Sequence, residues 1–467
     1  MVFSSYIFLF IFLPSLILLY FIFPKKGRNT LLLLYSLVFY GWNKPSYLLI
    51  LFLSIFVNWL GGFLIASYRK KSFQKIILFL SVVLNCLILG YFKYTDFIIT
   101  NFNTLFHTEH PLKNIALPIG ISFFTFQGLS YVVDVYRQND LYQKNPFNVA
   151  LYISLFPQLV AGPIVRYDSV AAQISERSEN INKIVYGLER FTIGLCKKII
   201  LADTFGIIAD YVFDEANLDT GLAWVGMLAY TLQIFFDFSG YSDMAIGLGK
   251  IFGFDFCENF NYPYISTSIT EFWRRWHMSL SSWFRDYVYI PLGGNRVGPY
   301  RQIFNMFVVW ALTGLWHGAA WTFIVWGLYY FVLLFMEKYI LKNVLTKIPV
   351  FIRYVVTFLL INIGWVLFRS NNLTAAVTYI KTLFSFSWDN NSVNELCRYL
   401  INYKTFWIVG FIAMTPALKK LYIYCKTKTN NHILFQGLEY VFIFALLLLD
   451  ILYIIASSYN AFIYFQF

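Results

Sequence analysis

Two of the five histidines in this 467-residue chain stand where an imidazole is unexpected. His317 lies in "TGLWHGAAW" (313–321), between Trp316 and Gly318, in a run without charge; His277 lies in "FWRRWHMSLSSWF" (272–284). A polar group left in an apolar interior is costly unless it is paired, so ionisable residues inside hydrophobic segments are functional candidates. Imidazole titrates near neutrality. In its neutral form it can take the proton from a hydroxyl as that oxygen attacks a carbonyl. Joining a hydroxyl to an acyl thioester needs one such base, a group that holds the oxyanion, and shelter from water. His317 is the candidate base, and a histidine that merely bridges two helices is the alternative. His277 could orient that base, bind the developing charge, or only structure its own helix. Trp316 is a candidate substrate contact, and Gly318 with two alanines permits close approach of a backbone or a ligand.

A second set of polar residues sits in "QIFFDFSGYSDMAIGLG" (233–249). Gln233, Asp237, Ser239 and Tyr241 are candidate substrate-binding residues, as are Arg274, Arg275 and Ser281. The carboxylates have a structural alternative, pairing with Arg274, Arg275 or Arg285, and this is the preferred reading for Asp243. Gly240 allows a turn between two helical pieces. Read as one helix, 269–289 places Phe272, Trp273, Trp276, Leu280, Trp283, Phe284 and Tyr287 on one face. Arg274, His277, Ser281 and Arg285 form a stripe beside it. Ser268 and Glu271 have the spacing of a capping box. A membrane-surface helix whose arginines bind lipid phosphate is the competing reading of this segment.

The elements that must carry these residues are helices in a membrane. The chain is 59% hydrophobic and only 13% charged, with 51 Phe, 35 Tyr and 13 Trp; soluble domains carry about 25% charged residues. Long apolar runs predict spans near 4–23, 29–42, 47–67, 74–92, 114–135, 146–164, 184–208, 221–238, 303–318, 320–340, 350–369, 404–418 and 434–457. The fold class is therefore an all-α polytopic membrane protein, roughly a dozen helices in a single domain over 1–467. The first apolar run reads as a retained span rather than a signal peptide. Residues 233–301 are too polar to cross lipid and too aromatic for a solvent loop. They read as short re-entrant or interfacial helices lining a central funnel, so that 233–327 is the catalytic region and 458–467 an aromatic tail. The net charge of +12 suits loops facing anionic lipid rather than nucleic acid. Five scattered cysteines without a CxxC pair suggest neither a zinc site nor a disulfide framework, and no metal is expected.

"ENFNYPYISTSITEFWRRWHMSLSSWFRDYVYIPLGGNR" (258–296) followed by "LTGLWHGAAWTFIVWG" (312–327) resembles the membrane-bound O-acyltransferase family. It is most similar to the bacterial branch that holds the membrane subunits of alginate and peptidoglycan O-acetyltransferases. "LPIGISFFTFQGLSYVVDVYR" (117–137), "LVAGPIVRY" (159–167) and "FDFSGYSDMAIGLGKIFGF" (236–254) extend the likeness in the same order. The resemblance implies that His317 is catalytic and His277 the second family position, within a helical bundle around a funnel. It implies no tightly bound cofactor, acetyl-CoA or another acyl thioester as cytoplasmic donor, and a polysaccharide acceptor outside the inner membrane. A separate periplasmic serine esterase-like protein would complete the transfer. The ending "NAFIYFQF" (460–467) also resembles that branch and a small companion peptide of teichoic-acid D-alanylation. It suggests Tyr464 as a transient acyl carrier, the alternative being an interfacial aromatic anchor. D-alanyl transfer to teichoic acid and transport of a polysaccharide or lipid-linked sugar are the competing functions.

Overall fold

The computed structural model describes the chain except residues 69, 216–217, 389, 430–431, 457–458, 460–462 and 464–467, and except the side chains of 71, 139, 390–392 and 432. The regular structure of the described residues is helical. Six helices are long and apolar enough to cross a membrane: Tyr47–Ser67, Ser72–Phe106, Thr220–Ile251, Trp321–Ile340, Val350–Arg369 and Ile433–Ala456. Lys404–Ala413 and Ala417–Lys428, bent by 72° at their junction, make a seventh if taken together.

The other apolar segments are also helical, but shorter or interrupted. Residues 114–135 become helical only at Ile121, and 146–164 divides into Pro146–Ser154 and Phe156–Leu159. Pro157 lies in the first turn of the second piece, where its missing amide costs little. Residues 160–166 are not helical, so the expected break at "VAGP" is present. The run 184–208 continues as a π-helical turn, Lys197–Ala202, between Ile181–Cys196 and Asp203–Asp214.

The chain divides into two compact units. One comprises Met1–Phe191 with Met244–Cys257, the other Thr192–Asp243 with Glu258–Phe467. In the first unit, rings of Phe3, Phe8, Phe12, Phe39 and Phe156 pack at centroid distances of 4.9 to 6.3 Å. The buried amides of Asn58 and Asn85 join Tyr47–Ser67 to Lys71–Phe106 by reciprocal 3.0 Å hydrogen bonds, the polar cement found between helices in apolar surroundings.

The second unit holds every described residue singled out for chemistry. Its core is aromatic: Phe272, Trp273, Trp276, Trp326, Tyr330 and Trp365 are buried together. Such rings bury large areas and interlock edge to face, and Trp273 does so with Trp326 (5.6 Å) and Tyr330 (4.8 Å). The segment 269–289 is not one helix. It forms Ile269–Arg275, Met278–Phe284 and a π-helical turn, Arg285–Tyr289. The first piece is capped as its sequence predicts, with the Glu271 amide donating to Ser268 Oγ at 3.1 Å. The Glu271 carboxylate turns back to the Thr267 amide at 2.9 Å rather than to that of Ser268. Glu337, from another helix, accepts from the free amides of Ile269 and Thr270, meeting the need of an exposed helix start for an acceptor of negative charge.

Candidate active site

His317 is the last residue of the helix Pro299–His317. Pro299 opens that helix, where a missing amide costs nothing. The helix stops because Gly318 is extended, with φ −169° and ψ 157°. Its position is set by a backbone contact with Trp321–Phe335. A Cβ on Gly314 would lie 2.5 Å from the Phe323 carbonyl oxygen, and one on Gly327 would lie 2.5 Å from that of Trp310. Glycine at both places lets the helices touch, and the contact brings Trp326 and Phe323 beneath the final turn. The His317 ring stands edge-on to Trp316 (4.9 Å), Trp326 (4.9 Å) and Phe368 (5.1 Å), in a residue only 5% exposed. Gly318 admits a close neighbour as expected, and that neighbour is the ring of Phe323, which fills the space a Cβ would need.

His277 sits at the break between Ile269–Arg275 and Met278–Phe284, in the left-handed region at φ 45° and ψ 53°. A non-glycine residue held there needs support from its surroundings. Asn259 supplies it. The Met278 amide donates to the Asn259 carbonyl at 3.0 Å. Asn259 Oδ1 accepts from the Ser279 amide (3.2 Å), from Ser279 Oγ (2.8 Å) and from His277 Nδ1 (3.1 Å). Because that oxygen only accepts, the proton belongs on Nδ1 and Nε2 keeps its lone pair. Nε2 has no hydrogen-bond partner among the described residues. Phe238 covers the ring edge-on at 4.6 Å, and Trp316 lies 6.0 Å away. Trp316 therefore touches both histidine rings, and the two elements converge on one indole.

Burial pushes the His277 imidazole down to about 3, so it is neutral at physiological pH. The unfolded chain binds a proton below about pH 6.5 and the folded one does not, so acid favours unfolding. The stability associated with this ring is present above pH 6.5 and is lost as pH falls towards 3. Between pH 6.5 and 5 the loss is about 2 kcal/mol. Thermal unfolding in detergent at the two pH values measures it, and His277→Gln, which keeps a polar side chain without the titration, loses correspondingly less.

Two cavities approach this pair of histidines. The larger, about 880 Å³, runs from exposed cations, among them Arg274, Arg285, Lys338 and Lys342, to the buried Trp273 and Leu280. It reaches Thr313, one turn before His317. The smaller, about 300 Å³, is lined by Phe323 and Phe368 beneath His317, and by Tyr230, Gln233, Arg369, Tyr459 and Ile463. Gln233 Oε1 and the Tyr230 hydroxyl are buried without a hydrogen-bond partner among the described residues. Neither imidazole lines either cavity. A substrate entering by one of these two routes must move one of the intervening side chains to meet His317.

The remaining candidates are distributed unevenly. Arg274 and Ser281 line the larger cavity, and Gln233 the smaller. Arg275 lines neither; it is bound to Glu271 (2.9 Å) and to the Asn261 carbonyl (3.1 Å). Ser239 and Tyr241 are buried and line neither cavity. Asp237 is 1% exposed and carries an ion pair with Lys198 at 3.3 Å. The expected pairing of Asp243 with Arg274, Arg275 or Arg285 is corrected: its carboxylate meets Lys197 at 2.6 Å. Gly240 explains the difference. Thr220–Ile251 runs straight through it without a turn, and a Cβ there would lie 2.7 Å from the Gly194 carbonyl oxygen. That close crossing sets Lys197 and Lys198 opposite the two aspartates. The paired lysines of "CKKII" (196–200), inside an apolar run, were the signal for this arrangement. Asn259 carried no signal beyond its place in "ENFN". Tyr464 lies outside the described residues.

Residues 88–376 match the profile of MBOAT, the membrane-bound O-acyltransferase family. This stretch carries His277, His317, Asn259 and all the lining residues of the larger cavity.

The chain belongs to the membrane-bound O-acyltransferase family.

It is 44% identical over 402 residues to the Pseudomonas aeruginosa protein named "Probable alginate O-acetylase AlgI", covering 85% of this chain and 77% of that protein. It is 35% identical over 516 residues to the Helicobacter pylori peptidoglycan O-acetyltransferase, covering 100% and 98%. It is 32% identical over 313 residues to the Bacillus subtilis teichoic acid D-alanyltransferase, covering 62% and 76%. As a member of this family the chain is a multi-pass membrane acyltransferase.

Proposed function

We propose that this acyltransferase resides in the inner membrane and passes an acetyl group from a cytoplasmic thioester, acetyl-CoA or a related donor, to the hydroxyl of an extracytoplasmic cell-wall polymer or exopolysaccharide. A periplasmic serine esterase-like partner completes the transfer. The observation that carries this reading is the position of His317, one turn from Thr313 of the larger cavity and against Phe368 of the smaller, at the end of a helix whose register is fixed by backbone contact. The larger cavity has exposed cations suited to the phosphates of a donor and a buried aromatic depth suited to its thioester arm. The smaller one offers polar atoms to an incoming hydroxyl. His317 acts as general base. His277, neutral and with a bare Nε2, supports the same indole wall. The names of the most extensively matching relatives favour acetyl over D-alanyl transfer.

Tyr464 is proposed as the acyl carrier between the two faces. Its phenol attacks the thioester carbonyl as His317 takes the proton, the thiol leaves, and an aryl ester remains for the partner's serine. Its sequence neighbour Ile463 lines the smaller cavity. Deleting the gene and measuring ester-linked acetyl on peptidoglycan and on exocellular polysaccharide tests the activity and identifies the polymer. Restoring the gene with Tyr464→Phe is expected to leave acetylation near the deletion level. Full acetylation in that strain would remove Tyr464 from the mechanism, and unchanged acetyl content of both polymers on deletion would overturn the proposed function.

A further inference from the structure

We propose that Asp210 and Asp237 form a two-point dock that seats Tyr459 and Ile463 at the smaller cavity, against the aromatic wall of His317. Both carboxylates are divided in the same way. Asp237 Oδ1 faces Lys198 Nζ at 3.3 Å, while its Oδ2 accepts the Ile463 amide proton at 2.9 Å. Asp210 Oδ1 accepts from Arg369 Nη2 at 2.7 Å, while its Oδ2 accepts from the Tyr459 hydroxyl at 2.6 Å. In each case a cation neutralises the carboxylate through one oxygen, and Tyr459 or Ile463 satisfies the other.

The contact at Asp237 is specific because its burial is deep, whereas the Asp210 side chain is 35% exposed. Asp237 is 1% exposed and Ile463 is 5% exposed. A carboxylate oxygen that loses its donor at such depth cannot turn to water, so releasing the segment leaves a charged acceptor unmet. Lys198 is equally buried and is held by Asp203 as well, which fixes the ammonium and with it the direction of Asp237. Gly206 makes room for Tyr459: a Cβ there would lie 2.5 Å from the Tyr459 hydroxyl oxygen and 2.7 Å from Gln233 Nε2. The destination is also fixed. Tyr459 and Ile463 line the cavity that Phe323 and Phe368 close on the other side, and Phe368 touches the His317 ring. Asp210 and Asp237 are therefore positioning residues. Tyr464 follows Ile463 directly in the sequence. The seating stands on the contacts above, whereas its effect on transfer rests on the proposal that Tyr464 carries the acyl group.

The test uses the full chain in nanodiscs and the complemented deletion strain. Ile463→Pro removes the donated N–H and leaves Asp237, Lys198 and Asp203 intact, so it reports on the dock even if Asp237→Asn folds poorly. Amide hydrogen exchange of the peptide that begins at Tyr459 is expected to quicken about tenfold or more in Ile463→Pro and Asp237→Asn, the equivalent of one charge-assisted hydrogen bond. Polymer acetylation is expected to fall about as much. Ile463→Val, which returns the N–H, is expected to restore both. Unchanged exchange in Ile463→Pro would overturn the dock. Faster exchange with full acetylation would show that the dock positions nothing for transfer. Loss of acetylation in the dock variants with full activity in Tyr464→Phe would retain the dock and reject the carrier.

Discussion

His317→Ala is expected to lower O-acyl transfer by about 10²- to 10⁴-fold, the usual contribution of a positioned general base, while polymer export stays at its normal level. The size follows from the lack of a substitute. Trp316, Trp326 and Phe368 surround the ring, and none of them can accept a proton. His277 lies 6.0 Å from Trp316, and burial, which pushes its imidazole down to about 3, makes it a far weaker base. Ester-linked acetyl per unit of exported polymer is the measurement, with membrane abundance of the variant as the control for folding. Retained acetylation would exclude His317 as the base. Normal acetyl density on a reduced amount of exported polymer would point instead to transport.

Gly314→Val is expected to be the most damaging single change to the fold of the site. The added Cβ meets the Phe323 carbonyl oxygen at 2.5 Å and the Gly327 Cα at 3.4 Å. Backbone atoms cannot rotate aside as a side chain can, so Pro299–His317 must move bodily away from Trp321–Phe335. Overpacking a well-filled contact costs about 1–3 kcal/mol and more where backbone is involved. The displacement also carries His317 off its aromatic seat, so transfer falls further than stability alone accounts for. The comparison is Gly90→Ala, on Lys71–Phe106, where nothing lies within 4 Å of the added atom. There the helix gains about 1 kcal/mol in backbone propensity. Apparent melting temperature in detergent separates the two, and an equal melting temperature for Gly314→Val and the parent would refute the crossing.

The chain determined a good deal by itself. Its composition excluded a soluble core, and its apolar runs located the long helices, because hydrocarbon leaves the backbone no alternative to internal hydrogen bonding. His317 and His277 stood out for the same reason, as imidazoles in surroundings that resist them. Ser268 and Glu271 announced the start of their helix because capping is local. Everything that depended on residues distant in sequence was left to the tertiary structure. Periodicity could place Phe272 and Trp276 on one face, yet it carried Arg274 and His277 along as one stripe. The polar cradle of Asn259 turns His277 away from it, and no helical repeat encodes that bond. Gly240 read as a turn because glycine permits one; the structure uses its missing side chain to admit a crossing backbone, which re-pairs Asp243 with Lys197. Asp237 read as a candidate substrate contact, and only the fold shows that its carboxylate meets Lys198 and the amide of Ile463. Sequence pattern reports what a residue does to its own helix. Which oxygen finds which cation is decided only when helices pack, since a buried charge takes the nearest partner that packing leaves within reach.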